Sequence, residues 1–463
     1  MAPEIHFEPF LQLADLGAEE AMIAWGGFYF RRGDSTYGEW RIVDDEELRQ
    51  AAGERSGTIG ASSEPYGDAA VEVERDGEVI ARVETTERNY VSVRGLDPDT
   101  EYGYRVTVGG EPWATGERWD WDTERRTLVR AGRRYRKRFR TFPAADSNTP
   151  VTLAVLGDFG VGILGWGEGS KNQQRVAGAL ERACASHDVD LVLTTGDNIY
   201  LGPQDTVSGT GDEDDDWYAS FFQPYRYVIN RVPFFPTVGN HDAGDSESSD
   251  DRDQLSDNLF LYLRFGPEVE RGRASLDPGL FYRFQVGANA EFVCVDTSLA
   301  SEAGVEHYFD DPSHIRWLRE ALLGRATGEP RWRIPFSHHP PFCAGPEHGS
   351  TPGLVERLVP LYAKAGVRLV LSGHEHNFQH SVVDGIHYLI SGAGGTVRTE
   401  PPTDFAAAGT RAWAASAHFL LIELDEERAV VHPVGDVRDD GSLELIEMRD
   451  PAGRPIPGPL EIR

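Results

Sequence analysis

The sequence predicts two folds in succession: an all-β sandwich over residues 1–146 and an α/β domain over residues 147–463. Three observations predict this. Short runs of alternating apolar and polar residues fill the first third, with turn residues between them. A small, polar, proline-terminated stretch at residues 144–150 then interrupts the pattern. Beyond it, strand-like apolar runs alternate with helix-length segments, the order of an α/β domain. At 463 residues the chain exceeds one ordinary core, which fits two domains.

Composition narrows the function classes. The chain is 40% hydrophobic and 10% aromatic, as soluble globular proteins are, and no apolar run reaches transmembrane length. The start, MAPEIHFEPFLQLADLG, has no basic n-region. The expectation is a cytoplasmic protein, or a secreted or periplasmic one if a leader has been removed. Cys184, Cys294 and Cys343 are too few for a disulfide framework, and Cys294, inside EFVCVDT, reads as a small core residue. The formal net charge is −31, and Lys137, Lys171 and Lys364 are the only lysines. Such a surface disfavours nucleic acid and anionic membranes as partners. It would also repel anionic substrates unless a local positive centre, such as metal, draws them in.

In the first part, AMIAWGGFYF, AAVEVERDG, EVIARVETT, YVSVRGL, YGYRVTVGG and YRKRFRTF read as strands, with turns at Asp76-Gly77 and Gly109-Gly110. The segment Leu96-Asp97-Pro98-Asp99-Thr100-Glu101-Tyr102 resembles the fibronectin type III pattern, in which a Leu-x-Pro-x-Thr turn leads into a strand with a corner tyrosine. The close at Arg140-Thr141-Phe142-Pro143 resembles the last strand of such a module. An insertion at 111–134 is rich in Trp and then Arg. In residues 134–140 the even positions put four arginines on one strand face. We read that face as solvated and matched to carboxylates; the alternative is an anionic-ligand patch.

In the second part, VTLAVLGD, LVLTTGDNIY, FFPTVGNHD and RIPFSHHPPF read as strands, the last ending at His338, and LVLSGHEHNFQH reads as a fifth. FYRFQVG and AEFVCVDTS read as a strand pair. Helices are expected near 170–186 with a Ser170 start, at 217–228, at 313–323 and at 354–365. Two acidic loops, 211–216 and 245–253, read as solvated surface, with calcium capture as the alternative. GILGWGEGS, around Trp166, reads as a cleft lining or a flexible loop. In open α/β sheets the ligand site lies beyond the carboxyl ends of strands, where Asp158, Asp197, Asn240, His338 and His374 all stand. With His376 and Tyr200 they offer hard oxygens, imidazoles and a phenol, more donors than one ion with open positions needs. The set suits two metals sharing a carboxylate and clamping a phosphoryl group, with a water between them acidified to a nucleophile.

Gly157-Asp158, Gly196-Asp197-Asn198-Ile199-Tyr200, Gly239-Asn240-His241-Asp242, His338-His339-Pro340 and Gly373-His374-Glu375-His376 resemble, in order, the signature blocks of the calcineurin-like metallophosphoesterases. Tyr200 points to the purple acid phosphatase branch. Val295-Asp296-Thr297, Pro346-Glu347-His348-Gly349 and Ser391-Gly392-Ala393-Gly394 resemble its small members, whereas an N-terminal sandwich resembles the plant-type ones. The resemblance covers residues 150–435 and implies a catalytic domain of two mixed β-sheets sandwiched by helices.

By motif, the resemblance implies one metal site at Asp158, Asp197, Tyr200 and His376, and a second at Asp197, Asn240, His338 and His374. It implies Fe(III) at the tyrosine-bearing site and Fe(II), Zn or Mn at the other. His241 would bind the phosphoryl group, and His348 would protonate the leaving group. Pro335 stands where the fourth block usually has valine, which leaves His338 or His339 as ligand; His338 is preferred because x-Pro follows it. The implied activity is phosphomonoester hydrolysis on a small phosphate ester. The alternatives are a phosphodiesterase acting on nucleotides or glycerophosphodiesters, and a non-catalytic binding or adhesion protein.

Overall fold

The computed structural model describes residues 5–32, 40–42, 66–115, 118–122, 127–163, 167–200, 217–243, 259, 261–264, 274–277, 280–298, 312–324 and 330–463. The two acidic loops and Trp166 lie outside the described residues.

The N-terminal strands alternate inward and outward. In Ala69–Arg75, Val71 and Val73 are buried, while Glu72 and Glu74 point outward to Arg105 (2.7 and 2.9 Å) and Glu72 also to Arg82 (2.6 Å). Two larger antiparallel sheets result, beside a separate hairpin of Arg118–Asp122 with Thr127–Ala131. One pairs Ile5–Leu16, Glu20–Arg32 and Trp40–Ile42, with Tyr90–Arg94 beside the second strand; the other runs Arg138–Arg140, Glu101–Val108, Ala69–Arg75, Glu78–Thr85. The Tyr102 hydroxyl accepts the Asp97 N–H at 2.8 Å, tying the strand back to its own turn. Of the arginine stretch, only Arg138–Arg140 is strand. The Arg136 carbonyl accepts from Arg138 N and Asn230 Nδ2, both at 2.8 Å, which bends Arg134 and Arg136 out of the ladder. Arg138 and Arg140 face Glu101 (3.6 Å) and Asp99 (2.7 Å).

The α/β part holds two mixed sheets. In the first, Val151–Leu156, Leu191–Thr194 and Phe234–Phe235 run parallel, with Phe419–Leu424 antiparallel beside Val151–Leu156. In the second, Ala290–Cys294, Trp332–Phe336, Leu369–Ser372 and Ile386–Ser391 run parallel. Nearly every residue of these strands is buried, as strands covered on both faces must be. The carboxyl ends of the two sets meet, Gly394 N donating to Gly157 O at 2.9 Å.

Prolines set the places where elements stop short of expectation. The third strand ends at Phe235 because Pro236 has no N–H for the ladder. The segment 217–228 opens as a π-turn, Tyr218–Phe222, before an α-helix, Gln223–Ile229. Pro224 cannot donate to Ser220 O, which accepts Gln173 Nε2 at 2.6 Å instead. Pro360 likewise splits 354–365 into Pro352–Arg357 and Val359–Lys364. The helix expected from Ser170 starts at Glu168, with no side-chain cap; Ser170 is buried inside it. Helix Pro312–Leu323 lies where expected.

The sandwich and the α/β part share one hydrophobic core. Phe10 packs on Phe222 and Phe28 on Tyr218, with ring centroids 4.3 and 5.2 Å apart. Buried Arg226 reaches Glu8 at 2.7 Å, and Tyr104 donates to Asn230 O at 2.6 Å. Among the described residues no helix is long and apolar enough to cross a membrane.

Candidate metal centre

Each candidate ligand sits just past a buried parallel strand. Asp158 follows Leu156, Asp197 follows Thr194 and Asn240 follows Phe235 from the first sheet; His338 follows Phe336, and His374 and His376 follow Ser372 from the second. Asp158, Asp197 and His374 hold left-handed backbones, with φ of 54°, 49° and 70°. That conformation costs a non-glycine residue about 1–2 kcal/mol and persists where the surroundings over-determine it. Here the determinants are backbone bonds: Asp158 N to Gly196 O (3.0 Å) and Gly160 N to Asp197 O (3.1 Å). His374 N adds a bond to Asp158 Oδ2 at 2.9 Å.

The donors form two adjoining groups. Asp158, Asp197 and His376 hold ligand atoms within 4.8 Å of one another, as do His338, His339 and His374. Around the first, the Tyr200 hydroxyl lies 3.1 Å from His376 Nε2 and 3.5 Å from Asp158 Oδ1. Around the second, His338 Nδ1 lies 2.8 Å from Thr195 O, an atom that only accepts. In the neutral ring that nitrogen carries the proton, which leaves the Nε2 lone pair for a ligand. Yet Nε2 sits 3.0 Å from Asn240 Oδ1 and 3.5 Å from Asp197 Oδ2. His374 Nδ1 lies 3.1 Å from the same nitrogen, so four candidate ligand atoms meet there. Lone pairs converging in this way fit a cation, and nitrogen with carboxylate and amide oxygen is a donor set for Fe, Zn or Mn.

The electrostatics agree. Burial, opposed by His338 and reinforced by Asp197, holds the Asp158 carboxyl well above the usual range. Burial, then Asp197 and Asp158, raises the Tyr200 phenol. Burial, then the neighbouring imidazoles His339 and His338, pushes His374 far down. A buried carboxylate pair and a buried imidazole cluster each lack positive charge, and bound cations would relieve both.

The surroundings fix these donors. A Cβ on Gly239 would lie 2.1 Å from Asp197 Oδ1, and one on Gly373 2.5 Å from Asp158 Oδ2, so both positions require glycine. The buried Asp242 carboxylate accepts from Gly239 N (2.8 Å), Asn198 Nδ2 (2.9 Å) and Ile199 N (3.1 Å), binding the second block to the third. His241 donates its backbone N–H to Asp197 Oδ1 at 3.0 Å, with its ring 4.4 Å from that of Tyr200. The His348 ring stacks on His374 at 3.8 Å; burial, then the Arg398 guanidinium, pushes its imidazole down to about 4. His339 lies buried with Nδ1 3.2 Å from Thr297 Oγ1 and with no hydrogen-bond partner for Nε2 among the described residues.

All nine residues singled out in the sequence thus gather at one place. Three more join them: Asp242, Glu375 and Arg398. The first two stand inside quoted blocks, so their positions were visible but their buried carboxylates were not. Arg398 stands 22 residues beyond His376 and carries no motif.

Comparison with known proteins places this geometry. Residues 151–378 match the family model described as calcineurin-like phosphoesterase. Purple acid phosphatase 17 of Arabidopsis thaliana is 31% identical over 273 residues, covering 54% of this chain and 70% of that protein. Among solved structures, PhoD superposes with a TM-score of 0.63 at 14% identity, covering 97% of this chain and 91% of that one. Purple acid phosphatase PPD1 from yellow lupin (Lupinus luteus) gives 0.57 at 15%, covering 96% and 74%. Both structural matches take in the N-terminal sheets as well as the α/β part.

Proposed function

Because the chain belongs to the calcineurin-like phosphoesterases, a metal-dependent phosphoric ester hydrolase with purple acid phosphatases as its relatives, we propose that it is a dinuclear phosphomonoesterase. Asp158, Asp197, Tyr200 and His376 would hold one ion, and Asp197, Asn240, His338 and His374 the other. The observation that carries this is the convergence of His338 Nε2, His374 Nδ1, Asn240 Oδ1 and Asp197 Oδ2, next to the Asp158–Tyr200–His376 group. Such an ion pair supplies charge for the phosphoryl oxygens and an acidified water.

The chain's own groups do the rest. His241, fixed through its backbone to Asp197, presents its imidazole to a phosphoryl oxygen. His348 lies across His374 and, once protonated at acid pH, would hand a proton to the leaving oxygen. Tyr200, beside His376 and Asp158, makes Fe(III) the expected occupant of its site, with Fe(II), Zn or Mn at the second. Residues 1–146 are read as a fibronectin type III-like module, which the sheet order and the Tyr102 corner support.

The test pairs metal analysis of the native protein with hydrolysis of monoester and diester chromogenic substrates. Two metal equivalents and a monoester preference are expected. A diester preference would move the reading to a phosphodiesterase, and hydrolysis untouched by Asp197→Ala would remove the centre from the chemistry.

A further inference from the structure

The loop after strand Ile386–Ser391 brings a cation to this centre. Arg398 donates its backbone N–H to His376 O at 2.8 Å and its Nη1 to Glu375 Oε1 at 3.3 Å. Among the described residues Glu375 is its only side-chain partner. Glu375 is fully buried between His374 and His376, and its other oxygen accepts the His348 N–H at 2.8 Å. One rigid carboxylate therefore sets the guanidinium against the backbone that carries His348. A guanidinium presents five N–H donors in a planar fork matched to phosphate and carboxylate. One 3.3 Å contact leaves most of that fork for a ligand, and the side chain retains 23% exposure. In a chain of net charge −31, surface charge cannot supply this attraction in its place.

We propose that Arg398 determines specificity by taking an oxyanion on the leaving group. The preferred substrates are then phosphate esters or anhydrides whose leaving group carries its own phosphate or carboxylate. This rests on the phosphomonoesterase reading above and on His348 marking the leaving-group side. Glu375 acts through Arg398 and His348 as their positioning residue. The competing role is neutralisation of Glu375 alone.

The metal-loaded full chain is assayed on phenyl phosphate, 3-carboxyphenyl phosphate and pyrophosphate. Wild type is compared with Arg398→Gln, Arg398→Lys and the double variant Arg398→Gln/Glu375→Gln, in which two amides replace the ion pair and no buried charge is stranded. The readout is the kcat/KM ratio of each charged substrate to phenyl phosphate. That ratio should fall by about tenfold or more in both glutamine variants and by less in Arg398→Lys, since lysine keeps the charge without the fork. The probe that loses more identifies phosphate or carboxylate as the recognised group. An unchanged ratio in the glutamine variants overturns the proposal. Calorimetry on wild type needs no variant: 3-carboxyphenylphosphonate should bind more tightly than phenylphosphonate, with the gap narrowing as salt rises. Equal binding overturns the proposal as well. Wild type inert toward all three substrates would overturn the phosphomonoesterase reading itself, whereas turnover with an unaltered ratio sinks the Arg398 role alone.

Discussion

Gly239→Ala tests the closest approach in the centre. Gly239 does not hold a positive φ, so the substitution adds a methyl group and no backbone strain. That methyl would lie 2.1 Å from Asp197 Oδ1 and 2.4 Å from Asp197 N, where ordinary contacts begin at 3.4 Å. Asp197 has little room to yield. Its carboxylate accepts from His241 N, its carbonyl from Gly160 N, and its backbone is held at φ 49°. The Asp197 carboxylate or the backbone at Gly239 must therefore move by roughly 1 Å, and misplacement on that scale costs about a hundredfold in rate. The expectation is a kcat/KM loss of about 10²-fold, equivalent to about 2.7 kcal/mol. Metal content should fall below two equivalents while circular dichroism stays that of wild type. The assay is plasma emission on desalted protein beside monoester kinetics. Two retained equivalents with activity within about threefold of wild type would refute the idea that Asp197 is pinned against Gly239.

Other outcomes follow from the same geometry. Tyr200→Phe should abolish visible absorbance in aerobically purified protein, while a band that survives the change would clear Tyr200 of any role in it. Stripping metal with a chelator should lower the thermal midpoint, since the cluster then strands buried carboxylates, and metal should restore it; a midpoint unmoved by chelation would count against a resident centre. Away from the site, burial raises the Asp190 carboxyl to about 7, although its Oδ2 accepts the Thr152 N–H at 2.8 Å. Its folded pKa lies above the unfolded one, so its contribution is fully present below about pH 4 and is lost as pH rises through about 7, a span of about 4 kcal/mol. Asp190→Asn keeps the acceptor and removes the titration, so its stability gain in urea melts should grow by about 2 kcal/mol between about pH 5.5 and pH 8; a pH-independent gap would contradict this. Arg226→Met should destabilise by about 3–5 kcal/mol in calorimetry by removing the cation paired with buried Glu8, and a loss below about 1 kcal/mol would show that water reaches the pair.

The readable features of the sequence were local. An apolar run that stops at a donor residue, after glycine in four cases and after Ser337 in the fifth, announces a buried strand and a donor past its end, and all five runs brought their donors to one place. The sandwich strands were visible through alternation, down to the Tyr102 corner. Features that depend on remote partners were hidden. Nothing near Arg136 tells that Asn230 will claim its carbonyl and end the arginine stripe there. Nothing near Ser220 tells that Gln173 will take the carbonyl that Pro224 cannot reach. Glu375 shows only as a spacer between two histidines until folding brings Arg398 and His348 to its two oxygens.

The shared core between the two parts bears on how this architecture is recognised across relatives. Phe222, Tyr218 and Arg226 face the N-terminal sheet rather than the catalytic strands. A phosphoesterase that lacks the sandwich must present that helix face to water, so it should carry polar residues at the positions of Phe222 and Tyr218 and no obligatory arginine at 226. These three positions, remote from the candidate metal centre, are where the presence of the N-terminal sheets should show in a relative's sequence. Removing residues 1–146 would bare an aromatic patch, and such patches drive association.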